Sequence, residues 1–275
     1  MLRDITLGQY YPADSAVHDM DPRTKLFGTL IYIIALFLFN NLVGWTIVSL
    51  FLVLMICSCR VPLSYMVKGL KAIVMLLLIA AIFNLFLTTG TPLFTIGPLT
   101  ISDVGLRNAV MMTIRMIYLI VGTSIMTLTT TPNQLTDGLE QSLKFLNKIH
   151  VPVHEIAMMM SIALRFIPIL IEETDKIMKA QMARGADFET GGIVKRAKAM
   201  VPLLVPLFVS AFRRAGDLAL AMEARCYHGG EGRTKMKPLC YHRVDAVAYI
   251  LIILFLISVI VSRMWTAVSI FHIGG

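Results

Sequence analysis

Two short stretches of this chain could grip a partner. AQMARG occupies residues 180–185 and AMEARC residues 221–226, so Ala-x-x-Ala-Arg occurs twice, forty-one residues apart. On a helix, Ala180, Ala183 and Arg184 fall at i, i+3 and i+4, on one face, as do Ala221, Ala224 and Arg225. Alanines let another backbone approach closely. The arginine beside them offers a rigid, permanently charged fork for carboxylate or carbonyl acceptors, and arginine is enriched among binding hot spots. A plainer reading is helix termination, a cation against the helix dipole followed by a Gly cap. That reading accounts for Arg184-Gly185. It requires neither the alanines nor the repetition.

Two other groups carry weaker chemistry. Cys226-Tyr-His228 is followed fourteen residues on by Cys240-Tyr-His242. Structural zinc sites pair cysteines as C-x2–4-C, and C-x-H lacks that spacing, so no metal ligand is predicted. Arg115 sits inside an apolar run. An ionisable group there is a functional hypothesis by default, yet its stem could also carry the charge outward beside Arg107. No nucleophile motif, GxGxxG or GxxxxGK[ST] is present, so no catalytic residue and no cofactor are predicted. The alternative function is a membrane enzyme or a secondary transporter using the Cys/His/Arg cluster at 226–243.

The elements that must position these residues are apolar. Of 275 residues, 57% are hydrophobic and 15% charged, with net charge +8 and mean hydropathy +0.75. A soluble domain is nearer one quarter charged, which makes a membrane protein the first reading. The basic excess then belongs to inner loops rather than to a nucleic-acid site. Four cysteines make no disulfide framework, and the first 25 residues lack an apolar signal core.

A helix needs about 20 residues to cross the bilayer. Spans are predicted near 26–40, 42–59, 72–89, 106–129 and 246–262. Residues 60–71 read as a basic loop, and 88–105 as a turn-rich loop without Lys or Arg. By the distribution of Lys and Arg, the amino end, residues 60–71 and the long segment 131–243 lie on the cytoplasmic side. That segment holds 16 of the 25 Lys and Arg. TPNQLTDGLEQSLKFL shows one apolar face at helical spacing. Two long helices follow, near 153–184 and 193–225, with ADFETGG as the break between them. The first begins apolar and ends polar, with Glu172/Lys176 and Asp175/Lys179 spaced as i,i+4 pairs; the second has a basic start (Lys195, Arg196, Lys198) before its apolar run and polar end. Their apolar halves are short and interrupted by Arg165, Pro168, Pro202 and Pro206, which favours helices lying at the inner membrane face over further spans. The fold expected is an all-α integral membrane protein. It has about five transmembrane helices and a cytoplasmic helical domain carrying two long helices, divided as 1–130, 131–243 and 244–275.

GQYYPADSAVHDMDPRTKLF (8–27), TTTPNQLTDGLE (129–140), ALRFIPILIEE…AQMARG (163–185) and VPLFVSAFRRAGDLALAMEARCY (205–227), in this order along essentially the whole chain, resemble the T component of energy-coupling factor transporters and its cobalt-system relative. The resemblance implies a non-catalytic scaffold in the bacterial cell membrane. Such a scaffold joins two ABC-type ATPases to a substrate-binding S component for vitamin or metal-ion uptake. It assigns ATPase docking to Ala183, Arg184 and Gly185 and to Ala224 and Arg225. It places Met158, Met159, Met160, Pro168, Pro202 and Pro206 under the S component. One departure stands out: Cys226 occupies the position where the family usually has Gly, so a left-handed backbone is not expected from the residue there.

Overall fold

The computed structural model describes residues 10–88, 92–96, 99–186, 188, 192–230, 236 and 238–273. Its elements in order are α1 (Pro22–Leu38), α2 (Leu42–Cys59), α3 (Leu63–Leu87), β1 (Pro92–Ile96), β2 (Leu99–Ser102), α4 (Asp103–Thr129), α5 (Pro132–Leu143), a 3-10 turn (Lys144–Ile149), α6 (Val153–Ala183), α7 (Ile193–Glu223) and α8 (Arg243–Ile273). The chain divides into two compact units. One comprises the described residues of 8–138 and 239–275, the other those of 139–238.

In the first unit, α1, α2, α4 and α8 pack together, and α3 packs along α4. The five expected spans each fall on one of these helices. Four helices of the chain are long and apolar enough to cross a membrane: α2, α4, α6 and the Arg243–Trp265 part of α8. The apolar stretch of α3 is shorter, Ile73–Phe86. The burial pattern is that of a protein dissolved in lipid. Phe27, Leu30, Ile34 and Phe37 form an exposed row on α1, while Asp21, Lys25 and Asp245 are buried. Large apolar side chains face outward because hydrocarbon costs them nothing; polar ones turn inward to find partners. Inside, Leu36, Phe39, Val48, Leu128 and Val259 are almost fully enclosed. The Phe51 and Phe255 rings stack 4.2 Å apart between α2 and α8.

Two expectations change. The basic loop at 60–71 is mostly helix: only Arg60–Pro62 interrupts, and α3 runs from Leu63. Pro62 suits a helix entrance and no breaker follows it. The turn-rich loop contains an antiparallel hairpin, with Ile96 opposite Leu99 and Phe94 opposite Ile101. β-branched and aromatic residues alternating between Gly-Pro signals are enough to pair two short strands. Part of that stretch, like part of ADFETGG, lies outside the described residues.

Arg115 ties α4 to the α1–α2 turn. Its Nη2 donates to the Phe39 carbonyl (3.0 Å) and to Asn40 Oδ1 (2.8 Å), satisfying the carbonyl just beyond the end of α1. Asn41 completes this turn. Its Oδ1 accepts from the Gly44 amide at the start of α2 and its Nδ2 donates to Ser262 O on α8. At α5, Thr131 and Gln134 close a reciprocal capping box, each side chain accepting from the other's backbone N–H.

Candidate docking tips on two antiparallel helices

In the second unit α6 and α7 are each 31 residues long. They pack against each other in antiparallel sense. Glu173 meets Arg214 in a 3.0 Å ion pair, and Gln181 on α6 donates to the Pro202 carbonyl at 3.5 Å. Moving forward along α6 thus moves backward along α7. The Pro202 carbonyl is available because Pro206, four residues on, has no N–H to give it.

The two Arg tips share one backbone design. At the end of α6, Gly185 N–H bonds to Met182 O and Ala186 N–H to Gln181 O, both at 3.0 Å. At the end of α7, Cys226 N–H bonds to Glu223 O (2.8 Å) and Tyr227 N–H to Met222 O (3.1 Å). Both are Schellman closures, in which the residue after the cap turns left-handed and the last carbonyls are satisfied. The turning residues are Gly185, φ +89°, and Cys226, φ +54°. The departure from glycine therefore does not change the turn: hydrogen bonding holds Cys226 in a conformation that its Cβ disfavours. Arg184 and Arg225 each stand immediately before the left-handed residue. They are exposed, as are Ala180, Ala183, Gly185, Ala221, Ala224 and Cys226. No intramolecular partner occupies the alanine–arginine face at either tip among the described residues.

That strain is measurable. An L-residue in the left-handed region costs about 1 kcal/mol relative to glycine. Cys226→Gly should stabilise the end of α7 by about that amount, and Gly185→Ala should destabilise the end of α6 similarly. Protection of the Tyr227 and Ala186 amides against hydrogen exchange reads the two effects, which must have opposite signs.

Spacing follows from the ion pair. Arg184 lies eleven residues beyond Glu173, and Arg225 eleven beyond Arg214. At 1.5 Å per residue each tip stands ~16 Å from the bridge, in opposite directions, so the tips are roughly 33 Å apart along the hairpin. Sequence reasoning missed this pair because nothing local marks it. The i,i+4 pairs Glu172/Lys176 and Asp175/Lys179 are not closed as ion pairs; Glu173 pairs across helices instead.

Arg225 also borders an open cleft of about 820 Å³ with Met158, Ile162, Leu218 and Met222. His154, whose Nδ1 is hydrogen-bonded to Glu140 Oε1 at 2.9 Å, lines it as well. Of the expected S-component contacts, Met158 turns to this cleft, while Met159, Met160, Pro168, Pro202 and Pro206 are exposed. Met200, Val201, Leu204, Val205, Phe208 and Phe212 extend that apolar exposure along α7. Among the described residues no three His, Cys, Asp or Glu side chains gather as metal ligands, and the four cysteines are unbridged.

The chain is similar to known proteins along most of its length. The family model described as cobalt transport protein matches residues 13–236. A Clostridium kluyveri protein named energy-coupling factor transporter transmembrane protein EcfT is 51% identical over 267 residues, covering 96% of this chain and 99% of its own length. The proteins of that name from Heliobacterium modesticaldum and Bacillus subtilis are 54% and 49% identical, covering 87% and 89% of this chain and 90% and 93% of themselves.

Proposed function

This chain belongs to the family of energy-coupling factor transporter transmembrane proteins, and from that premise we propose that its two Arg tips dock two cytoplasmic ABC-type ATPases and pass their closure to a substrate-binding membrane subunit. It is a membrane scaffold and not an enzyme. The observation that carries the docking role is the repeated tip: one backbone closure, one exposed Ala-Arg face, at opposite ends of an antiparallel hairpin. Two equal plugs roughly 33 Å apart suit two equal sockets on a pair of ATPases. When those subunits close on ATP, tips anchored one in each must shift, and long helices transmit the shift as rigid bodies.

The apolar row of α7 and the exposed Met159 and Met160 give the hairpin a second surface. Methionine repacks easily, which suits a face that accepts several partners. In this reading Met158–Met160, Pro168, Pro202 and Pro206 lie under the substrate-binding subunit, and the cargo is a vitamin or metal ion chosen by that subunit. In this reading the amino end and the polar parts of segment 131–243 lie on the cytoplasmic side, which the Lys and Arg excess there supports, and the apolar halves of α6 and α7 lie at the inner membrane face.

Affinity purification of the tagged protein from mild-detergent membranes tests this assembly. The expected result is co-purification of two ATP-binding-cassette chains and a small apolar membrane protein, identified by mass spectrometry. Recovery of the scaffold alone, under conditions that keep it monodisperse, would count against the assembly.

A further inference from the structure

The segment 139–238 is inserted into the first unit, leaving after Gly138 and returning at Leu239. Both ends are fastened to the same dipeptide. Gly138 is buried against α1 so closely that a Cβ there would stand 3.0 Å from Pro22 Cβ and 3.4 Å from the Arg23 nitrogen. The returning end is held by Arg23, whose Nη2 donates to the Leu239 carbonyl (3.2 Å) and whose guanidinium lies 4.0 Å from the centre of the Tyr241 ring.

Arg23 is itself fixed. Its Nε and Nη2 donate to the two Asp21 oxygens at 3.0 and 2.8 Å, a bidentate pair with only 14% and 1% of the side chains exposed. Asp21 also caps α1 by accepting from the Arg23 amide. Burial pushes the Asp21 carboxyl up, but the hydrogen bonds and charge of Arg23 outweigh burial and hold it below its ordinary value. The Asp21 amide donates to Asp245 Oδ1, and the His242 amide to Asp245 Oδ2, each at 2.8 Å. The entrances to α1 and α8 are thus one knot.

We infer that Asp21–Pro22–Arg23 is the joint through which movement of the coupling segment enters the membrane helices, with Arg23 its positioning residue. The inference rests on the docking role proposed above. Displacement carried by either connecting strand reaches the same two residues and passes into α1 and α8, which pack together. Were the two ends attached at separate places, part of the movement would be absorbed by the scaffold bending between them.

The test uses the complete transporter complex in nanodiscs, with hydrogen exchange followed by mass spectrometry, with and without MgATP and vanadate as probe. In the unmodified complex, nucleotide should change exchange both within 139–238 and at residues 22–30 and 243–250. In Arg23→Ala and, independently, Gly138→Ala, the change within 139–238 should persist while that at 22–30 and 243–250 falls at least fivefold. Arg23→Lys, which keeps the charge but not the fork, should fall between. If Arg23→Ala fails to assemble, the other two variants carry the test. Equal responses beyond the joint in Gly138→Ala and the unmodified complex would overturn the inference. So would responses on both sides falling in proportion, the mark of a merely structural role. No nucleotide response within 139–238 of the unmodified complex would instead overturn the docking role itself.

Discussion

Replacing Arg184 and Arg225 together by alanine should leave the protein folded in the membrane and, on the docking role proposed above, should remove the ATPases from it. Both side chains are exposed and neither enters an intramolecular ion pair among the described residues. The fold loses only their interaction with the helix dipole, under about 1 kcal/mol each. Docking loses far more. A buried arginine anchor contributes about 2 kcal/mol or more, which is about thirtyfold in affinity for each tip. The tips also act together: with one engaged, the other is held at high effective concentration near its socket. Each single variant should therefore weaken co-purification and the double variant should abolish it. Because the two closures share one geometry, the two single variants should cost similar amounts. Undiminished ATPase recovery in the double variant would show that docking lies elsewhere.

Asp245→Ala is expected to lower stability by about 3 kcal/mol or more. The carboxylate is 1% exposed and accepts the Asp21 and His242 amides. A hydrogen bond to a charged group contributes about 1.5–3 kcal/mol. Alanine would leave the buried Asp21 N–H and the part-buried His242 N–H unpaired and detach the start of α8 from α1. Asp245→Asn keeps one acceptor oxygen and should lose roughly half as much. Melting of the purified protein in one detergent measures both. An unchanged midpoint for the alanine variant would mean that water satisfies these amides after all.

Helix periodicity is local, and for that reason α6, α7 and their Arg-bearing ends were legible as strings of residues. So was α5, whose Thr131/Gln134 box sits at the expected helix start. Other features depend on what is distant in sequence. Arg115 could be placed only once the α1–α2 turn was seen to lie beside it. Lys68 and Lys71 suggested a loop because charge is unwelcome in a span, yet a helix can extend past the hydrocarbon and keep its hydrogen bonds. The left-handed turn at Cys226 was unexpected because residue preference argues against it; two hydrogen bonds outweigh that preference. Glu173 and Arg214 look like ordinary surface charges until the antiparallel register brings them together.

That last pair constrains how the two halves of the hairpin can be related. Glu173 and Arg214 are forty-one residues apart, the same interval that separates Arg184 from Arg225. They are counterparts in the duplicated pattern, and counterparts that touch must lie on the two-fold axis relating the copies. Anything on such an axis meets itself. A hairpin made of two identical copies would set glutamate against glutamate there, or arginine against arginine, and be pushed apart at its centre. Opposite charges at this one position let a doubled sequence close on itself while its outer ends stay alike. Symmetry is kept where two equal partners must be met and broken where the chain must meet its own reflection.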